Sequence, residues 1–166
     1  MTMMVAAPPP TQDWVDLSRY AGRWYEIARL PNRFQEKCEG DVAATYTLDG
    51  DGQVRVVNEC RQADGRLTRV EGVARRAEED GPASRLKVRF APAFLSFLPF
   101  VWGDYWILEL DREYRYALVG DPGRKYLWIL GRDPAMDDAT YAGLVSAAAR
   151  LGFDTTRLAR TPQSAR

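Results

Sequence analysis

Glu26, Tyr46 and Tyr105 are the side chains of this sequence best suited to proton transfer, because the chain contains no histidine. A carboxylate with two phenols can carry acid–base chemistry on a small hydrophobic substrate, or simply orient the polar group of a bound molecule. The missing imidazole excludes Ser/His/Asp and Cys/His catalysis, imidazole zinc sites and histidine-ligated haem. No nucleophile–base pair accompanies Glu26, so the reading favoured is a chain that is not an enzyme. Cys38 and Cys60 are the only cysteines. They are too few for a thiolate metal cluster, and no metal or other cofactor is expected.

These residues need a scaffold, and the chain supplies enough for one domain: 166 residues, 46% of them hydrophobic. Lys plus Arg and Asp plus Glu each number 23, so the formal charge is zero and nucleic acid is not an expected partner. Residues 1–13 read as a disordered Ala/Pro-rich lead, 14–160 as a single domain, and 161–166 as a disordered polar tail. The opening MTMMVAAPPPTQ has neither the basic and long apolar regions of a secretory signal nor a cysteine to carry lipid.

Turn clusters LDGDG, ADG, EEDGP, DRE and DPG punctuate the middle of the chain at strand-length intervals. Strands are expected near 23–30, 41–48, 53–60, 67–76, 84–91, 104–110, 114–120 and 125–131. Leu86, Val88 and Phe90 alternate with Arg85, Lys87 and Arg89, the period of a sheet with one wet and one dry face. The spacing predicts an all-β fold, an eight-stranded antiparallel up-and-down barrel. A helix over about 135–151, with Tyr141, Leu144, Val145, Ala148 and Leu151 on one stripe, should pack outside it. Such a barrel has room inside for side chains and one small ligand.

If Trp24 points inward, alternation places Glu26 and Ala28 beside it, with Tyr25 and Ile27 outward. A neighbouring Tyr or Arg can satisfy Glu26 as a structural acid, or Glu26 can touch a ligand. The same parity turns Tyr46, Val56, Asn58, Ala74 and Val88 inward. On the later strands it selects Phe90, Tyr105, Ile107, Tyr116, Leu118 and Trp128. Small residues at Gly72 and Ala74 suggest open space there. The turn near residues 49–52 brings Cys38 and Cys60 together, and a bulge at Glu39 and Gly40 would absorb their register difference and allow a disulfide. The uncharged run from Phe90 to Trp102 is too apolar for a plain solvent loop, and residues 90–105 suit a lid, a homodimer interface or a peripheral membrane contact.

The Gly22-Arg23-Trp24 pattern, continuing as YEIARLP, resembles the first signature of the lipocalin family. Tyr116 to Asp121 resembles the second, and Trp128 to Arg132 the third. The set is similar to the bacterial outer-membrane lipoprotein lipocalins and to apolipoprotein D. The resemblance implies structural roles for Gly22, Trp24 and Arg132, with the guanidinium over the indole at the barrel bottom. It implies a pocket at Phe90, Tyr105 and Trp128. Arg29, Arg33 and Lys37 would border the open end. The implied function is binding, transport or storage of a fatty acid or lysophospholipid at the bacterial envelope, in the periplasm or at the outer membrane.

Overall fold

The computed structural model describes residues 6–90 and 102–164. Eight strands run in chain order: β1 Gly22–Arg29, β2 Cys38–Leu48, β3 Val54–Gln62, β4 Leu67–Arg76, β5 Arg85–Arg89, β6 Trp102–Leu110, β7 Tyr116–Gly120 and β8 Leu127–Gly131. Each pairs antiparallel with its successor, and β8 pairs with β1, which returns to β2 and closes the barrel. The first turn, Leu17–Tyr20 (α1), is capped by Asp16 and precedes β1. The outer helix α2, Asp138–Arg150, starts after Asp137, whose side chain accepts the Thr140 N–H. Gly152, at φ +92°, ends it in the left-handed conformation that glycine tolerates. Among the described residues no helix is long and apolar enough to cross a membrane.

Two apolar layers share the barrel wall. Inward residues such as Trp24, Val56, Val88, Ile107 and Val119 pack within the barrel. Outward residues such as Ile27, Leu127 and Ile129 pack against Leu144, Ala147, Ala148 and Phe153 around α2. The segments before β1 and after β2, β4 and β6 gather at one end, which α1 closes. The opposite, open end carries the connections after β1, β3 and β7.

Three expected inward residues lie instead in the outer layer. Ala28 packs there with Ile27, because a register shift against β8 between Glu26 and Ala28 breaks the alternation. Tyr116 and Leu118 also face α2. Directly paired residues share a face: Leu118 opposes Ile129, whereas Val119 opposes the inward Trp128. Ala117 and Val119 therefore fill the interior on β7.

The lead and tail differ from the expected disorder wherever they are described. Gln12 donates its N–H to the Ile107 carbonyl, and Thr11 accepts from Ser84 and Arg85. Beyond Tyr25, β1 and β2 diverge, and residues 159–164 occupy the gap. Ala159–Arg160 (β9) pairs with β1. Asp41 then donates its N–H to the Pro162 carbonyl, and the Asp41 carboxylate accepts from Ser164. Polar composition fits this segment to the gap, because its polar groups satisfy backbone that a closed wall would otherwise leave unpaired.

Candidate functional site: the barrel interior

The closed end is built on Arg132, just after β8. Its Nε donates to the Tyr114 carbonyl, Nη1 to those of Ala21 and Arg23, and Nη2 to those of Arg19 and Tyr20. Trp24, fully buried, lies beneath it and donates its indole N–H to the Tyr20 carbonyl. Gly22 has φ +106°, and a Cβ there would stand 3.1 Å from Arg132 Nη1. These contacts interlock Gly22, Trp24 and Arg132 at the closed end.

Above this seal three phenols meet. The Tyr105 hydroxyl lies 2.7 Å from that of Tyr20 and 2.9 Å from that of Tyr46. Burial raises the Tyr46 pKa to about 12 and pushes Tyr20 and Tyr105 well above the usual phenol value, so all three stay protonated at neutral pH. Three hydroxyl hydrogens serve two bonds among the phenols, which leaves one donor for a further acceptor. The cavity beside them, lined by Leu17, Val54, Ala74, Leu86 and Val88, measures about 10 Å³. That is room for about one water molecule.

Towards the open end the wall continues through Val56 and Ile107, both essentially inaccessible, and Asn58, half-buried between Ala44 and Val70 in the register. Phe90 is 40% exposed at the mouth. Gly72 is not open space: a Cβ there would fall 2.3 Å from the Arg89 carbonyl oxygen and 2.8 Å from the Phe90 ring. Trp128, half-buried, stacks on Tyr126 with centroids 6.0 Å apart and donates its N–H to Gln35.

Gln35 links Trp128 to Glu26, which is 2% exposed. The Glu26 carboxylate accepts from Gln35 Nε2 at 2.8 Å, from Arg29 Nη1 at 2.9 Å and from the Thr161 hydroxyl. Arg29 also donates to the Gln35 and Cys38 carbonyls, so this cation belongs to the wall rather than to the mouth. Glu26 is thus a fully partnered structural acid, hydrogen-bonded apart from Tyr46 and Tyr105. The carboxylate–phenol set that would carry catalysis is not assembled. Among the described residues no group of three or more acids or cysteines is placed to hold a metal.

Cys38 and Cys60 form a disulfide with Cα atoms 5.5 Å apart, and β2 shifts register around Gly40 as the bulge requires. Of residues 90–105, the stretch 91–101 lies outside the described residues. Trp102 faces outward between Arg75 and Arg89, 4.1 and 5.1 Å from its centroid. Tyr20, Gln35 and Thr161 were not anticipated, because their partners lie far away in sequence and no local period marks them.

A barrel sealed at one end and apolar within has the architecture of a container for a small hydrophobic molecule, here packed by its own side chains to within about the space of one water. The family described as a Lipocalin-like domain matches residues 15–163, and the chain belongs to the lipocalin family. Temperature-induced lipocalin-1 of Arabidopsis thaliana is 46% identical over 151 residues, 90% of this chain and 80% of that protein. Outer membrane lipoprotein Blc of Escherichia coli (strain K12) is 43% identical over 145 residues, 86% and 76% respectively. Among solved structures, apocrustacyanin C2 superposes with a TM-score of 0.73 at 21% identity, covering 96% of this chain and 91% of that one. Lipocalins bind small hydrophobic ligands and are generally non-enzymatic, and nothing in this interior points to catalysis.

Proposed function

We propose that the barrel binds a fatty acid or lysophospholipid, entering through the open end, and carries or stores it at the bacterial cell envelope. The observation that carries this reading is the continuous apolar inner wall, sealed below by the phenols and ending at the accessible Phe90 ring. An acyl chain gains about 25 cal/mol for each Å² of apolar surface withdrawn from water; Val70 and Phe90 at the mouth offer such surface, and deeper entry requires the side chains packed around Val56, Val88 and Ile107 to move apart. Asn58 and the spare phenol hydrogen supply sparse polar contacts for an oxygen of the ligand. Likeness to an outer membrane lipoprotein supports the envelope, although the similar plant lipocalin carries no such description in its name.

Displacement of a fluorescent fatty acid tests the reading. Oleate or lysophosphatidylcholine should compete on wild-type protein, and Phe90→Ala or Trp128→Ala should weaken binding by about 1 kcal/mol, roughly fivefold. Absence of competition, or unchanged affinity in both variants, would refute the assignment.

A further inference from the structure

The neutral total charge of this chain conceals a separation along the barrel axis. At the closed end, the connections 49–53, 77–84 and 111–115 contain Asp49, Asp51, Glu78, Glu79, Asp80, Asp111 and Glu113 against Arg112 and Arg115. At the open end, the connections 30–37 and 121–126 contain Arg33, Lys37, Arg124 and Lys125. Arg33, Lys37 and Lys125 are exposed and form no ion pair among the described residues. The acids of this rim offset them only in part. Asp121 is buried and accepts the backbone N–H groups of Lys125 and Tyr126, and Asp64 stands 3.6 Å from Arg66. Glu36 and Glu39 remain exposed.

Among the described residues, the same rim holds most of the exposed large apolar side chains: Phe34 at 81%, Leu67 at 64%, Val70 at 48% and Phe90 at 40%. Phe34 leans on Tyr126, with ring centroids 5.8 Å apart, between Arg33 and the 121–126 connection that bears Lys125. Of the remainder, Leu48 and Trp14 stand beside Asp49 and Asp13 at the other end. Apolar side chains interspersed with unpaired cations match a bilayer interface, where rings enter the headgroup boundary and ammonium and guanidinium groups meet phosphate. The acidic closed end is repelled by the same surface, so the field orients the barrel before contact.

We infer that the open rim, through Phe34 and Leu67 with Arg33, Lys37 and Lys125, docks the barrel mouth-down on an anionic phospholipid bilayer. This goes beyond the ligand reading, since docking needs no occupant of the barrel. It places the mouth at the surface from which a lipid would enter.

Pelleting with sucrose-loaded vesicles of phosphatidylcholine alone, or with a minority of phosphatidylglycerol, tests it. Wild-type protein should bind the anionic vesicles at least tenfold more strongly in low salt, and high salt should remove most of that difference. Combined Arg33→Glu, Lys37→Glu and Lys125→Glu should abolish the preference, and Phe34→Ser should weaken binding at either salt. Asp49→Lys with Asp51→Lys at the closed end should not weaken it. Equal binding to both vesicles, binding to neither, or full retention by the rim variants would overturn the proposal. So would binding to duplex DNA as tight as to anionic vesicles, which would mark a general polyanion surface. Should the triple variant fail to fold, the wild-type salt response and single Lys125→Glu decide. Fatty-acid displacement without vesicles reports the ligand reading separately, so either idea can fail while the other stands.

Discussion

The Arg132 guanidinium carbon lies 3.9 Å from the centroid of the Trp24 ring. Its donors all end on main-chain carbonyls, so one cation covers a fully buried indole and ties α1, the start of β1 and the turn before β7 into one lid. Burial pulls the Arg132 pKa down, yet the guanidinium remains charged throughout the physiological range.

Lysine cannot reproduce this planar fork. Arg132→Lys keeps the charge but leaves several carbonyls without a donor, and should cost about 2 kcal/mol, read as a lower urea midpoint at unchanged slope. Stability equal to wild type would show that the charge alone holds the closed end.

The phenol cluster makes stability fall in alkali. Tyr46 has a folded pKa of about 12 against an ordinary value of 10.0, and burial raises Tyr20 and Tyr105 well above that ordinary value too. The folded state therefore releases these protons later than the unfolded chain. The contribution is complete below pH 10 and is lost as pH rises from 10 through the folded values. Tyr46 alone accounts for on the order of 2 kcal/mol. Denaturant melts between pH 9 and 12, with phenolate absorbance, should show that loss in wild type and a smaller one in Tyr46→Phe. Tyr105→Phe should cost more at neutral pH than Tyr46→Phe, since it strips the shared partner from two hydroxyls.

Removing residues 161–166 takes Thr161 from Glu26 and Ser164 from Asp41. Truncation should destabilise the protein by about 2–4 kcal/mol, with early amide exchange in β1 and the start of β2. Glu26→Leu should do the same, because it leaves Arg29 buried beside no carboxylate. Uniform loss of exchange protection around the barrel would argue against a local role for the tail.

How far the sequence discloses this molecule depends on whether a residue's partners are near it. Leu86 and Val88 alternate cleanly with their charged neighbours, β5 has no bulge, and both side chains line the cavity beside the phenols. On β1 the register shift after Glu26 moves Ala28 to the outer layer, and nothing in the residue types announces it. Tyr116 and Leu118 were misplaced because parity on one strand carries no information about its register with the next. Trp24 and Arg132 were readable from motifs, whereas the Glu26 partner Thr161 lies 135 residues away. TPQSAR resembles an unstructured tail by composition, yet part of it completes the wall. Backbone hydrogen bonding, which composition does not encode, decides that outcome.

Because Asp41 meets Ser164 across a separation of 123 residues, the wall between β1 and β2 waits for a segment made long after both strands. During synthesis, strands that have left the ribosome can pair into a curled sheet, but the seam beside Glu26 stays unfilled until residues 159–164 clear the exit tunnel. Completion of this container therefore follows the pairing of its eight strands rather than accompanying it.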